Sequence, residues 1–307
     1  MIQVESLSRY YGTLCAVDDV SFRIESNTVV GFLGCNGAGK STTLKVLVGL
    51  LSPSKGSVKI GDLDLGAAPV SYRSQMGFLP ENPPLHLEMR VTEFLEFVGK
   101  LRGMDEDILR ARIPEVIQRC RLLGYDDRVI GELSHGYRKR VGIAQAILHK
   151  PNLVVLDEPF GGLDPVQGRE IVDVVRALKS ESTVLVSSHF VSWMSQLCDR
   201  ILVFNDGQLL PSSDVEMEPL RSRTSFSLVG DEKAIRGFFE ARPGIDDFVL
   251  QAHTADTIEI TVRLEGTTPE DVVAGLIGAG IGVRRVGPAE WSLEKQLIDR
   301  MSMGGDA

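Results

Sequence analysis

Residues 34–42 read Gly34-Cys35-Asn36-Gly37-Ala38-Gly39-Lys40-Ser41-Thr42, residue types and a spacing suited to holding phosphate. Gly34, Gly37 and Gly39 let the backbone curl so that successive amide N–H groups face inward. Lys40 would then reach the β- and γ-phosphates of a nucleoside triphosphate, and the Ser41 hydroxyl would ligate Mg²⁺. Further along, Asp157 and Glu158 form an acidic pair, one carboxylate to hold the metal and one free to polarise a water. An acidic pair after a strand also serves as a helix cap, but beside a phosphate loop the metal-and-base reading is the stronger. His189 is a further residue able to do chemistry.

Each of these groups needs an element to aim it. Val29-Val30-Gly31-Phe32-Leu33 reads as a strand before the loop, and residues 43–48 read as the helix after it, the context the loop requires. A helix starting there adds the partial positive charge of its N-terminus. Leu153-Val154-Val155-Leu156 suits a strand buried on both faces of a parallel sheet, and ligands sit beyond the carboxyl ends of such strands, where Asp157 and Glu158 fall. Residues 183–188 give a third such strand, which delivers His189 to the same edge. Leu133-Ser134-His135-Gly136-Tyr137 opens a helix-like segment, with Ser134 an ordinary N-cap type. Asp164, followed by Pro165, caps another.

Composition bounds the rest. A chain of 307 residues allows two domains. A net charge of −9 weighs against a nucleic-acid partner, which calls for a basic face. Cys15, Cys35, Cys120 and Cys198 are scattered without metal spacing, so they read as free thiols of a reducing compartment. With no apolar run near the ~18 residues of a membrane span and no leader pattern at the start, the expectation is a cytoplasmic protein, able to dock on an embedded partner.

The order of these motifs resembles the ATP-binding cassette (ABC) family of ATPase subunits, over residues 2 to about 210. The resemblance implies an α/β P-loop NTPase core of residues 1–215 with a helical subdomain at about 82–150. It implies ATP and Mg²⁺ as cofactors, the latter held by Ser41, Asp157 and the residue at position 81. Glu158 becomes the catalytic base and His189 the switch histidine at the γ-phosphate. Tyr11 matches the aromatic that stacks on adenine. Ser134 and Gly136 match the signature residues that contact ATP bound by the other subunit, and Asp164 the loop that communicates across the dimer. The implied partners are a second ATPase subunit, identical or related, and an integral membrane permease, which puts the chain on the inner face of the membrane. Glu81 stands where the family usually has glutamine, Cys35 where proline is frequent, and His135 and Tyr137 where Gly and Gln are commonest. The signature and the Leu79-Pro80-Glu81 loop look most like the branch serving bacterial exporters with separately encoded membrane subunits, including drug, sodium, copper-related and gliding systems. The rival class is a soluble ABC ATPase or nucleotide-dependent regulator.

Beyond residue 222 the pattern changes to strand, helix, strand, strand, helix, strand, a ferredoxin-like βαββαβ order through 222–301. Leu293, Leu297, Ile298 and Met301 fit one face of a last helix over 292–301. No chemistry-bearing cluster occurs there, which favours an accessory role in dimer support, regulation or partner recognition, in that order.

Overall fold

Ile2–Tyr11 and Leu14–Ile24 form an antiparallel hairpin, turned at Gly12 in the left-handed region that glycine enters without a Cβ clash. In the computed structural model, which describes residues 1–210, 215–216, 223–253 and 257–289, these strands begin the first of two compact units, Met1–Val215 and Glu216–Ala307. The first unit runs β1 (Ile2–Tyr11), β2 (Leu14–Ile24), β3 (Val29–Leu33), α1 (Lys40–Leu47), β4 (Lys55–Ile60), β5 (Leu63–Asp64), α2 (Pro69–Ser74) and β6 (Met76–Leu79). It continues with α3 (Val91–Leu101), α4 (Glu106–Arg119), α5 (His135–Ile147), β7 (Leu153–Asp157), α6 (Pro165–Leu178), β8 (Thr183–Ser188), α7 (Val191–Leu197), β9 (Arg200–Asn205) and β10 (Gln208–Leu209). The short β11 (Val215–Glu216) lies at the boundary.

A larger sheet, in the order β10-β9-β3-β8-β7-β6, carries the site. From β9 to β6 its pairs are parallel. Strands β3, β7 and β8 are buried along their whole length, as a sheet covered on both faces demands. Register sets the chemistry: Leu33 pairs with Ser188 and Asp157 with Ser187, so the three chains leave the sheet at one edge. A second, antiparallel sheet in the order β2-β1-β4-β5 has no counterpart in the sequence pattern; its alternating burial is broken by register shifts. Both sheets contribute to one core, in which Phe32 lies 5.4 Å from Phe22 and 4.9 Å from Phe204. Each such ring contributes about 1.5–3 kcal/mol through burial.

Helix α3 buries Val91, Phe94 and Leu95 at helical spacing, and Gly99 is buried where Val98 is only half-buried. The reason is close approach: a Cβ on Gly99 would meet Leu109 of α4 at 2.1 Å. Helix α5 starts at His135, earlier than the apolar pattern alone suggests, because Ser134 caps it.

In the second unit β12 (Arg223–Val229), α8 (Glu232–Ala241), β13 (Ile245–His253), β14 (Ile258–Leu264), α9 (Pro269–Gly278) and β15 (Gly282–Pro288) follow in turn. The sheet order is β13-β14-β12-β15, antiparallel throughout. Phe226, Ile260, Ile235 and Leu276 join its strands and helices in one core. The helix expected over 292–301 lies outside the described residues.

Candidate nucleotide site

The loop between β3 and α1 surrounds a cavity of about 190 Å³ lined by Asn36, Gly37, Ala38, Gly39, Lys40, Ser41 and Thr42. Glu81, Glu158, His189, Ala16 and Gly161 complete the lining. Gly39 stands at the start of α1 with φ 95°, and a Cβ there would meet the Ala16 carbonyl at 2.7 Å, so no other residue fits without strain. No side chain caps α1 and no acid occupies its first turn. Its leading amides are therefore left for an anionic ligand, unlike those of α6, where Asp164 accepts from the Val166 and Gln167 N–H groups at 2.9 Å.

Lys40 is 5% exposed. Its Nζ donates to the Gly34 and Cys35 carbonyls at 2.6 and 3.0 Å and lies 3.9 Å from Glu158 Oε1. Burial lowers its pKa, opposed by the negative field of Glu158 and Asp157. A desolvated ammonium held by carbonyls is ready to exchange them for phosphate oxygens.

Asp157 Oδ1 accepts from Ser41 Oγ at 2.9 Å and from Ser187 Oγ at 2.6 Å, which ties the phosphate loop, β7 and β8 together. Among the described residues no three His, Cys, Asp or Glu side chains form a metal cage. A hydroxyl beside one carboxylate suits Mg²⁺, which keeps several waters and takes its other ligands from nucleotide phosphates. The donor set fits such an ion.

Glu158 departs from ordinary backbone geometry, with φ 45° in a non-glycine residue. Such a conformation costs about 1–3 kcal/mol and persists only where neighbours hold it. Its N–H donates to Ser187 Oγ at 2.9 Å, and its carbonyl accepts from Lys139 Nζ and the Gly161 N–H, both at 3.2 Å. The His189 Nδ1 atom lies 3.1 Å from each Glu158 carboxylate oxygen. Glu158, His189 and Lys40 thus converge on the cavity.

Several sequence-predicted residues stand elsewhere. Ser134 and Gly136 do not line this cavity. Ser134 accepts from the Tyr137 N–H at 3.5 Å, and a Cβ on Gly136 would meet Gln167 Oε1 at 2.2 Å. Tyr11 is 44% exposed, with the Arg9 guanidinium 5.0 Å from its ring centre, and does not line the cavity either. Cys35 enters only through its carbonyl. Glu81 lines the cavity, and its carbonyl accepts from Lys139 Nζ at 2.5 Å.

Sequence reasoning assigns no role to Ser187 or Lys139, and notes His135 only as a departure from the family's signature. Ser187 is visible as a hydroxyl at the end of an aliphatic strand, a costly place unless partnered. Lys139 has no local signal. His135 Nε2 lies 3.1 Å from the Gly161 carbonyl, a link between the signature and the loop after Glu158 that spacing cannot reveal.

A sequence model of the family described as ABC transporter matches residues 17–161. The chain is 32% identical to the uncharacterized ABC transporter ATP-binding protein YxlF of Bacillus subtilis, over 96% of this chain and 97% of that protein. It is 31% identical to the bacitracin transport ATP-binding protein BcrA of Bacillus licheniformis, over 99% and 98%. Among solved structures, an ATP-binding subunit of an ABC transporter superposes with a TM-score of 0.64 at 29% identity, covering 72% of this chain and 92% of that one. The chain belongs to the ABC transporter ATP-binding protein family, and its first unit is a nucleotide-binding cassette.

Proposed function

We propose that this chain hydrolyses ATP as one half of a head-to-tail dimer and powers export through a separately encoded membrane permease. The observation that carries the reading is the division of the site: Lys40, Glu158 and His189 share a cavity that Ser134 and Gly136 do not line. An ATP whose phosphates rest on residues 36–42 is thereby left open on one side, for Ser134 and Gly136 of a second copy to cover. Glu158 and His189 orient and deprotonate the attacking water. Lys40 and the leading amides of α1 neutralise charge on the transferring phosphoryl group, since phosphoryl transfer depends mainly on positioning and charge. Mg²⁺, when bound by Ser41 and Asp157 with Glu81 beside it, supplies further neutralisation.

The permease and export assignments draw support from similarity to a bacitracin transport protein along nearly the whole chain. No helix among the described residues is long and apolar enough to cross a membrane, and in this reading the spanning path belongs to a separate partner. That partner would hold the cassette on the cytoplasmic face. Tyr11, exposed and close in sequence to the cavity-lining Ala16, is our candidate for adenine stacking. Asp164 is our candidate for communication across the dimer. The second unit, with its βαββαβ order, is proposed as a ferredoxin-like accessory domain that supports the dimer.

Concentration dependence tests the division. Turnover per chain should rise with protein concentration, and Ser134→Ala should abolish it while the monomer still binds ATP. Loss of the cap costs about 1 kcal/mol, too little to unfold the chain. Full-rate hydrolysis by monomer, indifferent to Ser134→Ala, would overturn the proposal.

A further inference from the structure

A lysine that is 2% exposed lies against the Glu158 backbone, in a position the nucleotide chemistry above does not use. Lys139 sits in the second turn of α5, the helix that Ser134 caps. Its Nζ donates to the Glu81 carbonyl at 2.5 Å and to the Glu158 carbonyl at 3.2 Å. Burying an ammonium costs several kcal/mol unless it is paired and hydrogen-bonded. Here two carbonyls and the surrounding field of Glu81, Asp157 and Glu158 compensate it.

We propose that Lys139 is a positioning residue for ATP hydrolysis: from the signature helix it fastens the backbones of Glu158 and Glu81 to a single ammonium. This rests on the reading of Glu158 as the base. Three observations converge on it. Glu158 occupies a left-handed conformation that must be held from outside, and Lys139 is the side chain that grips its carbonyl. Glu81 brings a carboxylate to the phosphate pocket where a neutral residue would cost less, and Lys139 is the buried cation attached to that same residue's backbone. Finally, α5 cannot drift. A Cβ on Gly77 would meet the Ala146 carbonyl at 1.9 Å, and one on Gly142 would meet Leu79 at 2.4 Å. Gln145 Nε2 donates to the Phe78 carbonyl at 2.7 Å and His149 Nε2 lies 2.9 Å from that of Met76. The ammonium therefore projects from a helix pinned against β6, and the base moves as one body with the segment that begins at Ser134.

The test compares steady-state phosphate release, ATP dissociation constants and urea midpoints for wild type, Lys139→Met and Lys139→Gln. It repeats both substitutions on Glu158→Gln. Misplacing a catalytic group by about 1 Å costs on the order of 10²-fold. Lys139→Met, which keeps an aliphatic stem without donor or charge, should lower kcat about 10- to 100-fold with ATP affinity within about threefold. Lys139→Gln, which keeps a donor, should fall between Met and wild type. On Glu158→Gln, each substitution should reduce the residual turnover by far less than it reduces wild type, because the share of its effect that runs through the base has nothing left to position. Wild-type kcat in Lys139→Met, or losses that add in full to those of Glu158→Gln, would overturn the proposal. If Lys139→Met does not fold, the same comparison made with Lys139→Gln decides it. A wild-type protein with no ATP hydrolysis would instead sink the reading of the site itself.

Discussion

Replacing Glu158 by Gln removes one charge from a side chain that is 9% exposed, 3.9 Å from Lys40 Nζ and 3.1 Å from His189 Nδ1. The shape is preserved, so the neighbours of the substituted side chain need not rearrange and the change reads the charge alone. At an effective dielectric of ~20, two unit charges at that Lys40 distance attract by about 4 kcal/mol. The substitution forfeits that attraction in the nucleotide-free protein, where Glu158 competes with phosphate for Lys40. It also removes a carboxylate that would repel the triphosphate. Both effects favour binding, so ATP affinity is expected to hold or to tighten. Turnover responds in the opposite sense. An amide neither accepts the water's proton nor pairs with an imidazolium at His189, and loss of a positioned base typically costs about 10²–10⁴ in rate, or roughly 3–5 kcal/mol of barrier. Phosphate release should fall by that factor, while a fluorescent ATP analogue still binds and an ATP-dependent dimer accumulates in gel filtration. Turnover of Glu158→Gln within about threefold of wild type would falsify the assignment of the base and the reasoning from these distances, since the expected loss is far larger.

Two further outcomes follow from buried contacts that position the site. Gly77→Ala should lower stability by about 1–3 kcal/mol or more, because a Cβ there meets the Ala146 backbone at 1.9 Å and forces α5 off β6. A thermal melt reads this as a lowered Tm, and an unchanged Tm would refute the close approach. His149 is held neutral, its pKa lowered from 6.5 to about 4 by burial first and by Arg102 second. The unfolded chain takes up the proton more readily, so this contribution is complete above the unfolded value of 6.5 and is lost as pH falls toward 4, at most about 3 kcal/mol. Urea unfolding at about pH 7.5 and about pH 5, on either side of the unfolded value, should therefore show a larger acid loss for wild type than for His149→Gln, and equal losses would contradict it.

Much of the site is legible one residue at a time. The loop of 34–42 announces itself because phosphate binding needs glycines, a lysine and a hydroxyl within one turn of chain, and covalent spacing alone keeps them together. The buried parallel strands are legible for a similar local reason: residues 153–156 are aliphatic on both faces, which only a covered sheet satisfies. The antiparallel sheet of β1, β2, β4 and β5 is not, since its bulged hairpin interrupts the period-two pattern that reveals a half-buried strand.

Sequence by itself determined which groups are present and which strand ends carry them: Lys40 and Ser41 after β3, Asp157 and Glu158 at the end of β7, His189 after β8. Tertiary structure decided what those groups touch. Only the register of β7 against β8 sets Ser187 on Asp157 and on the Glu158 amide. Only the close seating of α5 on β6 brings Lys139 to carbonyls beyond the ends of two separate strands. Only the folded shape shows that Ser134 lies outside the cavity of its own chain, which the motif order alone does not fix. The physical reason is range. Backbone propensity and spacing act over a few residues, whereas a hydrogen bond between distant residues exists only after burial has fixed both partners in one place.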